Sequence, residues 1–163
     1  MHVQAFEYVQ RTIPRLALSP RTVVEIGSRD VNGSVRHLFP GTTYTGLDVL
    51  PGPGVDIIAD GADWLPADPV DLVLCLETLE HTPHPHRVVA NALGMLRPSG
   101  GLIVTAATEP RAPHSGIDGG PLRAGEYYGN VDAGALLDLL SGCSSFAVEV
   151  ERACGDVRSL AFV

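Results

Sequence analysis

The stretch Val23-Val24-Glu25-Ile26-Gly27-Ser28-Arg29-Asp30-Val31-Asn32-Gly33-Ser34 decides the fold. Val23, Val24 and Ile26 form a short apolar run, interrupted by Glu25, that reads as a strand over residues 22–27. Gly27 then opens a tight polar turn, and Gly33 is expected to lead into a helix. Glycine suits such a turn because backbone can approach a ligand with no Cβ in the way. In an open α/β sheet, ligands lie beyond the carboxyl ends of the strands near the point where strand order reverses, which is where this first turn falls. Taken alone, the same residues also describe a plain strand-to-helix turn.

Outward from that stretch, Tyr44-Thr45-Gly46-Leu47-Asp48 is a second strand ending in an acid. It follows the glycine turn by about 20 residues, the spacing at which a carboxylate accepts both hydroxyls of a ribose. Asp48 is therefore the candidate ribose ligand, against the alternative of a turn former. Ala59-Asp60-Gly61-Ala62-Asp63-Trp64 follows a third short run at 55–58. Further strands are expected at 70–76 and 101–107, and two terminal strands at 146–150 and 157–163. Helices are expected at 3–12, closed by Pro14, at 86–96, closed by Pro98, and from an Asp132 cap to Leu140. Strands alternating with helices imply a mainly parallel sheet covered on both faces. One passage departs from this pattern: only six residues separate Asp48 from Val55. That is about half a helical crossover, so the return is extended or the third strand begins elsewhere.

These motifs resemble the class I S-adenosylmethionine-dependent methyltransferases, over roughly residues 20–163. The resemblance rests on EIGSRDVNGS at 25–34, YTGLDV at 44–49, DLVLCLETLEHTPHP at 71–85 and LRPSGGLIVTA at 96–106. It implies an α/β, three-layer Rossmann-like fold with a mostly parallel seven-stranded sheet and an antiparallel C-terminal strand. It also implies S-adenosylmethionine as cofactor, with S-adenosylhomocysteine as product. Glu25, Gly27 and Ser28 would line the methionine part, Asp48 the ribose, and Val49 the adenine. Asp60 would meet the adenine amino group, helped by Gly61 and by Trp64 as an apolar wall, and Leu76 and Glu77 would sit beside the sulfonium and amino end. The chain departs from the family's GxGxG pattern at Gly27-Ser28-Arg29, and it shows no helix between its second and third strands. A nicotinamide dinucleotide is the rival ligand, but its GxGxxG turn is absent, with Arg29 and Asp30 in its place.

His81, His84 and His86 invite a metal reading. Pro83 and Pro85 break any helical face and no cysteine or carboxylate completes a set of ligand spacing, so no metal is assigned. His81 is read as fixing its loop. Residues 108–131, rich in glycine and proline, are expected to form a lid that carries acceptor specificity. Tyr127 and Tyr128 there either flank a planar acceptor or anchor the lid. Methyl transfer from a sulfonium chiefly requires alignment; for a hydroxyl acceptor, His84, His114 and Tyr127 are the candidate bases.

The 163 residues are expected to make one domain, with an N-terminal helix and linker (1–19), a cofactor-binding half (20–107), the lid (108–131) and a C-terminal helix and strands (132–163). A 45% hydrophobic, 18% charged composition fits a globular protein. The net charge of −8 disfavours duplex nucleic acid. No apolar run approaches the roughly 18 residues of a membrane span, and no signal peptide is evident, so no membrane role and a cytoplasmic location are expected. The three cysteines lack CxxC spacing, so no disulfide and no zinc are expected. The partner expected is a small-molecule acceptor, and the chain is expected to be a monomer or homodimer. The alternatives are a non-catalytic S-adenosylmethionine-binding or partner-dependent subunit and, further off, an NAD(P)-dependent reductase.

Overall fold

A computed structural model describes residues 2–16 and 19–163. Seven strands, β1 (Thr22–Ile26), β2 (Thr43–Asp48), β3 (Ile57–Ile58), β4 (Val70–Leu76), β5 (Leu96–Ala107), β6 (Ser145–Glu151) and β7 (Asp156–Phe162), form one sheet in the order β3-β2-β1-β4-β5-β7-β6. The first five are parallel, and β7 runs antiparallel to both β5 and β6. The chain leaves β1 toward one edge and returns to build the other half from β4, so the order reverses between β1 and β4. The carboxyl tips there flank a crevice, the place where open α/β sheets take ligands.

Strand alternation sorts the side chains into two cores. Val24, Ile26, Val73, Cys75, Leu102 and Val104 face helices α2 (Pro85–Gly94) and α3 (Ala133–Leu140). Val23, Leu72, Leu74, Ile103 and Leu160 face α1 (Val3–Thr12) together with Val35 and Phe39. Helix α1 buries Ala5, Tyr8, Val9 and Thr12, the i, i+3, i+4, i+7 stripe of an amphipathic helix. Pro85 occupies the first turn of α2, where its missing N–H costs nothing. Asp132 caps α3 by accepting from the Ala135 amide at 3.1 Å, as its sequence position suggests.

The structure corrects three sequence expectations about elements. No α-helix follows Gly33; the connection to β2 contains only a short 3-10 turn at Arg36–Leu38. Pro40 lies too near Gly33 for two helical turns to form and repay nucleation, so Val35 and Phe39 cover the sheet from irregular backbone. Helix α2 stops at Gly94 rather than Leu96, and β5 begins at Leu96. Leu96 pairs with Val70 before the register shifts at the Pro98-Ser99-Gly100 stretch. The third strand starts at Ile57, not Val55, and the return from β2 is extended. That return is held under the first turn, where Asp30 N–H donates to Pro53 at 2.8 Å and Ser28 Oγ to Gly54 at 3.0 Å. The approach is close: a Cβ at Gly46 would lie 2.2 Å from the Gly54 carbonyl oxygen.

Candidate active site

A cleft of about 920 Å³ opens along the carboxyl tips of β1, β2 and β4 and is roofed by the loop that follows β5. Its floor is the first turn. Gly27 and Ser28 both donate their amides to the Leu47 carbonyl, at 2.8 and 2.9 Å, which binds the turn to the end of β2. Gly27 has φ +75, and a Cβ there would lie 1.9 Å from Thr78 Oγ1. Only glycine satisfies both the left-handed backbone and the contact.

One end of the cleft carries the nucleoside candidates. Asp48 lines it from the tip of β2, its carboxylate accepting from Leu50 N–H at 2.9 Å and Arg29 N–H at 3.3 Å. Val49 and Leu50 stand beside it, with Asp60 and Gly61 after β3 completing that wall. Asp60 is fixed by accepting from Ala62 N–H at 2.8 Å. Glu25, buried in β1, accepts the Tyr44 hydroxyl at 2.7 Å. Burial pushes its carboxyl up to about 7 despite that donor.

The other end is set by the tip of β4. Glu77 adopts φ +51, a conformation uncommon for a non-glycine residue and costing of order 1–3 kcal/mol. One carboxylate oxygen meets Arg111 Nη1 at 3.2 Å and His2 Nε2 at 3.0 Å; the other, Oε1, is buried without a partner. Arg111 also pairs with Asp156 of β7, a fully buried carboxylate that Arg158 Nη2 meets at 2.7 Å. Hydrogen bonds from His2 and Arg158 outweigh burial and hold Asp156 down to about 2. Those with Asp156 and Glu77 raise His2 to about 9 against its own burial.

Beyond Glu77, the rings of His81, His114 and Tyr128 pack edge to face with centroids 4.9–5.7 Å apart. The loop carrying His114 is pinned to this end: Arg29 donates to the Gly116 and Ile117 carbonyls, at 3.1 and 2.9 Å, and Gly129 N–H donates to Glu80 O at 2.8 Å.

Glu25, Gly27, Ser28, Asp48, Val49, Asp60, Gly61, Leu76, Glu77, His114 and Tyr127 all line the one cleft, as the sequence groups them. Two candidates do not. Trp64 packs against the α2 side of the core, where its carbonyl accepts from Asn91 Nδ2 at 2.7 Å, and it forms no wall of the cleft. His84 is exposed at the start of α2, turned away between Pro83 and Pro85 and facing His86 at 6.1 Å. The two tyrosines divide their roles. Tyr127 lines the cleft, whereas Tyr128 packs on the histidines and bonds Asn130 at 2.9 Å. His2, Thr78 and Arg111 also line the cleft, and sequence reasoning missed them. No local spacing announces them, because Arg111 meets Glu77 across 34 positions and His2 meets Arg111 across 109.

A family model described as a methyltransferase domain matches residues 1–138. The chain belongs to that family, and with this strand order it is a class I, S-adenosylmethionine-dependent methyltransferase. Among solved structures it is similar to the N-methyltransferase NodS of Bradyrhizobium japonicum WM9 in complex with S-adenosylhomocysteine. That pair is 19% identical with a TM-score of 0.63, covering 96% of this chain and 85% of that one. It is similar as well to the 1,6-didemethyltoxoflavin-N1-methyltransferase of Burkholderia thailandensis, at 16% identity and a TM-score of 0.69, covering 97% and 77%. A third similar structure is the plantazolicin methyltransferase BpumL, at 11% identity and 0.67, covering 97% and 81%. No curated protein matches the chain.

Proposed function

We propose that the cleft holds S-adenosylmethionine with its ribose on Asp48 and its adenine between Val49, Asp60 and Gly61, and that the methyl group passes to a small molecule seated under the loop 108–131. The observation that carries this is the placement of Asp48 across from the Gly27–Ser28 turn, at the reversal of strand order. The unpartnered, buried Oε1 of Glu77 fits the cationic amino end of the donor, since a buried carboxylate oxygen seeks a donor or a positive charge. Glu25 complements the same end from β1.

The donor, once bound, supplies an activated methyl group on sulfur. The chain's own contribution is alignment: the first turn and Glu77 fix the donor, and His81, His114 and Tyr127 border the space where a nucleophile stands within about 3–3.5 Å. His114 and Tyr127 are the groups placed to accept a proton from a hydroxyl acceptor, an effect of roughly 10²–10⁴ fold. His84 does not reach that space. The loop acts as a lid and sets which acceptor enters. The neighbours that act on small molecules favour a small acceptor here as well. Among the described residues no helix is long and apolar enough to cross a membrane, and the reading extends to a cytoplasmic monomer or homodimer.

Thermal unfolding with S-adenosylmethionine, S-adenosylhomocysteine and NADH tests the binding. A ligand at 100 times its Kd adds about 2.7 kcal/mol of stability. Both adenosyl ligands should raise Tm and Asp48→Ala should abolish the shift; a shift with NADH alone overturns the reading. A panel of acceptors with labelled methyl donor then separates catalysis from binding without transfer.

A further inference from the structure

Glu80, His81 and His114 each present one ligand atom, and the three atoms lie within 4.8 Å of one another. Glu80 is completely buried, at 0% exposure, and no side chain hydrogen-bonds its carboxylate oxygens; only the backbone amides of Glu80 and Ala107 lie against them. Nδ1 of His81 is likewise buried without a partner. A buried carboxylate with no side-chain partner beside a buried imidazole nitrogen carries a desolvation cost, and the imidazole stands at the edge of the cleft. A second acidic cluster, His2, Glu77 and Asp156, is as compact, but guanidinium groups of Arg111 and Arg158 already occupy its carboxylates. No cationic side chain forms an ion pair with Glu80 among the described residues.

We propose that Glu80, His81 and His114 bind a divalent transition-metal ion through one carboxylate oxygen and two imidazole nitrogens. Two nitrogen donors out of three select zinc, iron(II), manganese or cobalt over magnesium and calcium, which prefer all-oxygen sites. Bonds of about 2.0–2.2 Å put neighbouring ligand atoms about 3–3.5 Å apart. Ligation therefore requires the three atoms to draw in from their present spacing of up to 4.8 Å. The outer contacts suit ligation. Nδ1–H of His114 donates to the Ala112 carbonyl at 3.1 Å, which leaves Nε2 for the metal. His81 and His114 both line the cleft, so coordination positions left open face the space beneath the loop. With the ion bound, His114 would act as a ligand instead of a base, and an acceptor bearing a hydroxyl or phenol would bind there through oxygen and lose its proton to solvent or to Tyr127 more readily. This role rests on the reading of the cleft as a methyl-transfer site; the binding of the ion does not.

The test uses the full chain, stripped with chelator and dialysed. Co²⁺ is titrated and followed by visible ligand-field absorption, Zn²⁺ by calorimetry, and S-adenosylhomocysteine binding is measured separately on the same preparation. The expected result is one ion per chain, weakened by more than about 100-fold in Glu80→Gln and in His114→Ala. Binding should be unchanged in His84→Ala. His114 lies on an irregular, half-exposed loop, so its variant reports even if Glu80→Gln fails to fold. Absence of saturable binding overturns the proposal, as does binding that survives His114→Ala or disappears in His84→Ala. Metal binding without S-adenosylhomocysteine binding would leave this site standing and remove the donor reading; the reverse result removes the site alone.

Discussion

The Tyr44 hydroxyl donates to the Glu25 carboxylate at 2.7 Å, across the β1–β2 pair and beneath the cleft floor. Arg36 stacks over the Tyr44 ring at 4.7 Å and pairs with Asp56, so a cation, an aromatic ring and two carboxylates form one chain of contacts behind the first turn. Burial raises the Glu25 carboxyl from 4.5 to about 7. Its protonated form is therefore favoured in the unliganded fold. The stability this contributes is complete below 4.5 and is lost as pH rises through about 7.

Binding of a cationic amino end against Glu25 draws a proton off the carboxyl below that pH. Affinity for S-adenosylhomocysteine should rise as pH climbs toward about 7 and level above it. Glu25→Gln should flatten the profile. Tyr44→Phe removes a donor to the ionised form and should move the rise to higher pH. Calorimetry in buffers of differing ionisation enthalpy counts the proton; a flat wild-type profile contradicts the placement of Glu25.

Asp156→Ala strips the shared carboxylate from Arg111 and Arg158. Removing one partner of a buried ion pair costs about 3–5 kcal/mol, read as a lower midpoint in urea. In the wild type the folded carboxyl lies below its ordinary 3.8, so its contribution is present above 3.8 and is lost as pH falls through about 2. The variant should show no such acid limb from this group.

Gly27→Ala should abolish ligand binding. The positive φ alone costs about 1–3 kcal/mol, and the added Cβ meets Thr78 Oγ1. Thr78→Ala in the same chain removes the nearest atoms but keeps the backbone strain, so the double variant should recover part of the stability. A coupling of about 0.5–3 kcal/mol in that cycle would confirm the contact; strict additivity would refute it.

Tyr127→Ala should raise the KM for the acceptor while leaving the Kd for S-adenosylhomocysteine within about twofold, an energy difference of about 0.4 kcal/mol. Tyr128→Phe loses only its bond to Asn130, a stability change of about 0.5–1.5 kcal/mol, with little effect on either constant.

The strand core and the side of the cleft lined by Gly27, Asp48 and Asp60 were legible because they are written locally. Short apolar runs mark β1 and β4 to within a residue, as expected of strands buried on both faces, and Gly27, Asp48 and Asp60 each stand at or just past the end of a strand. The helix expected after Gly33 failed because its cue is shared by any turn, while the limit set by Pro40 lies further along. The Pro51–Gly54 run correctly signals an extended return, though its strand begins two residues late. The acceptor half was hardly legible. His84 looks equivalent to His81 in EHTPHPH, yet Pro83 and Pro85 send the two in different directions. Glu80 gains its meaning only from His114, which arrives from a loop 34 residues later.

Strand β7 is threaded between β5 and β6, and its first residue anchors Arg111 against the cleft. During synthesis, a nascent polypeptide stopped short of residue 156 already contains Gly27, Asp48 and Asp60 but lacks the carboxylate that pairs with Arg111 beside Glu77. That wall of the groove is therefore completed only when the last strands have been made, after the residues along its other side.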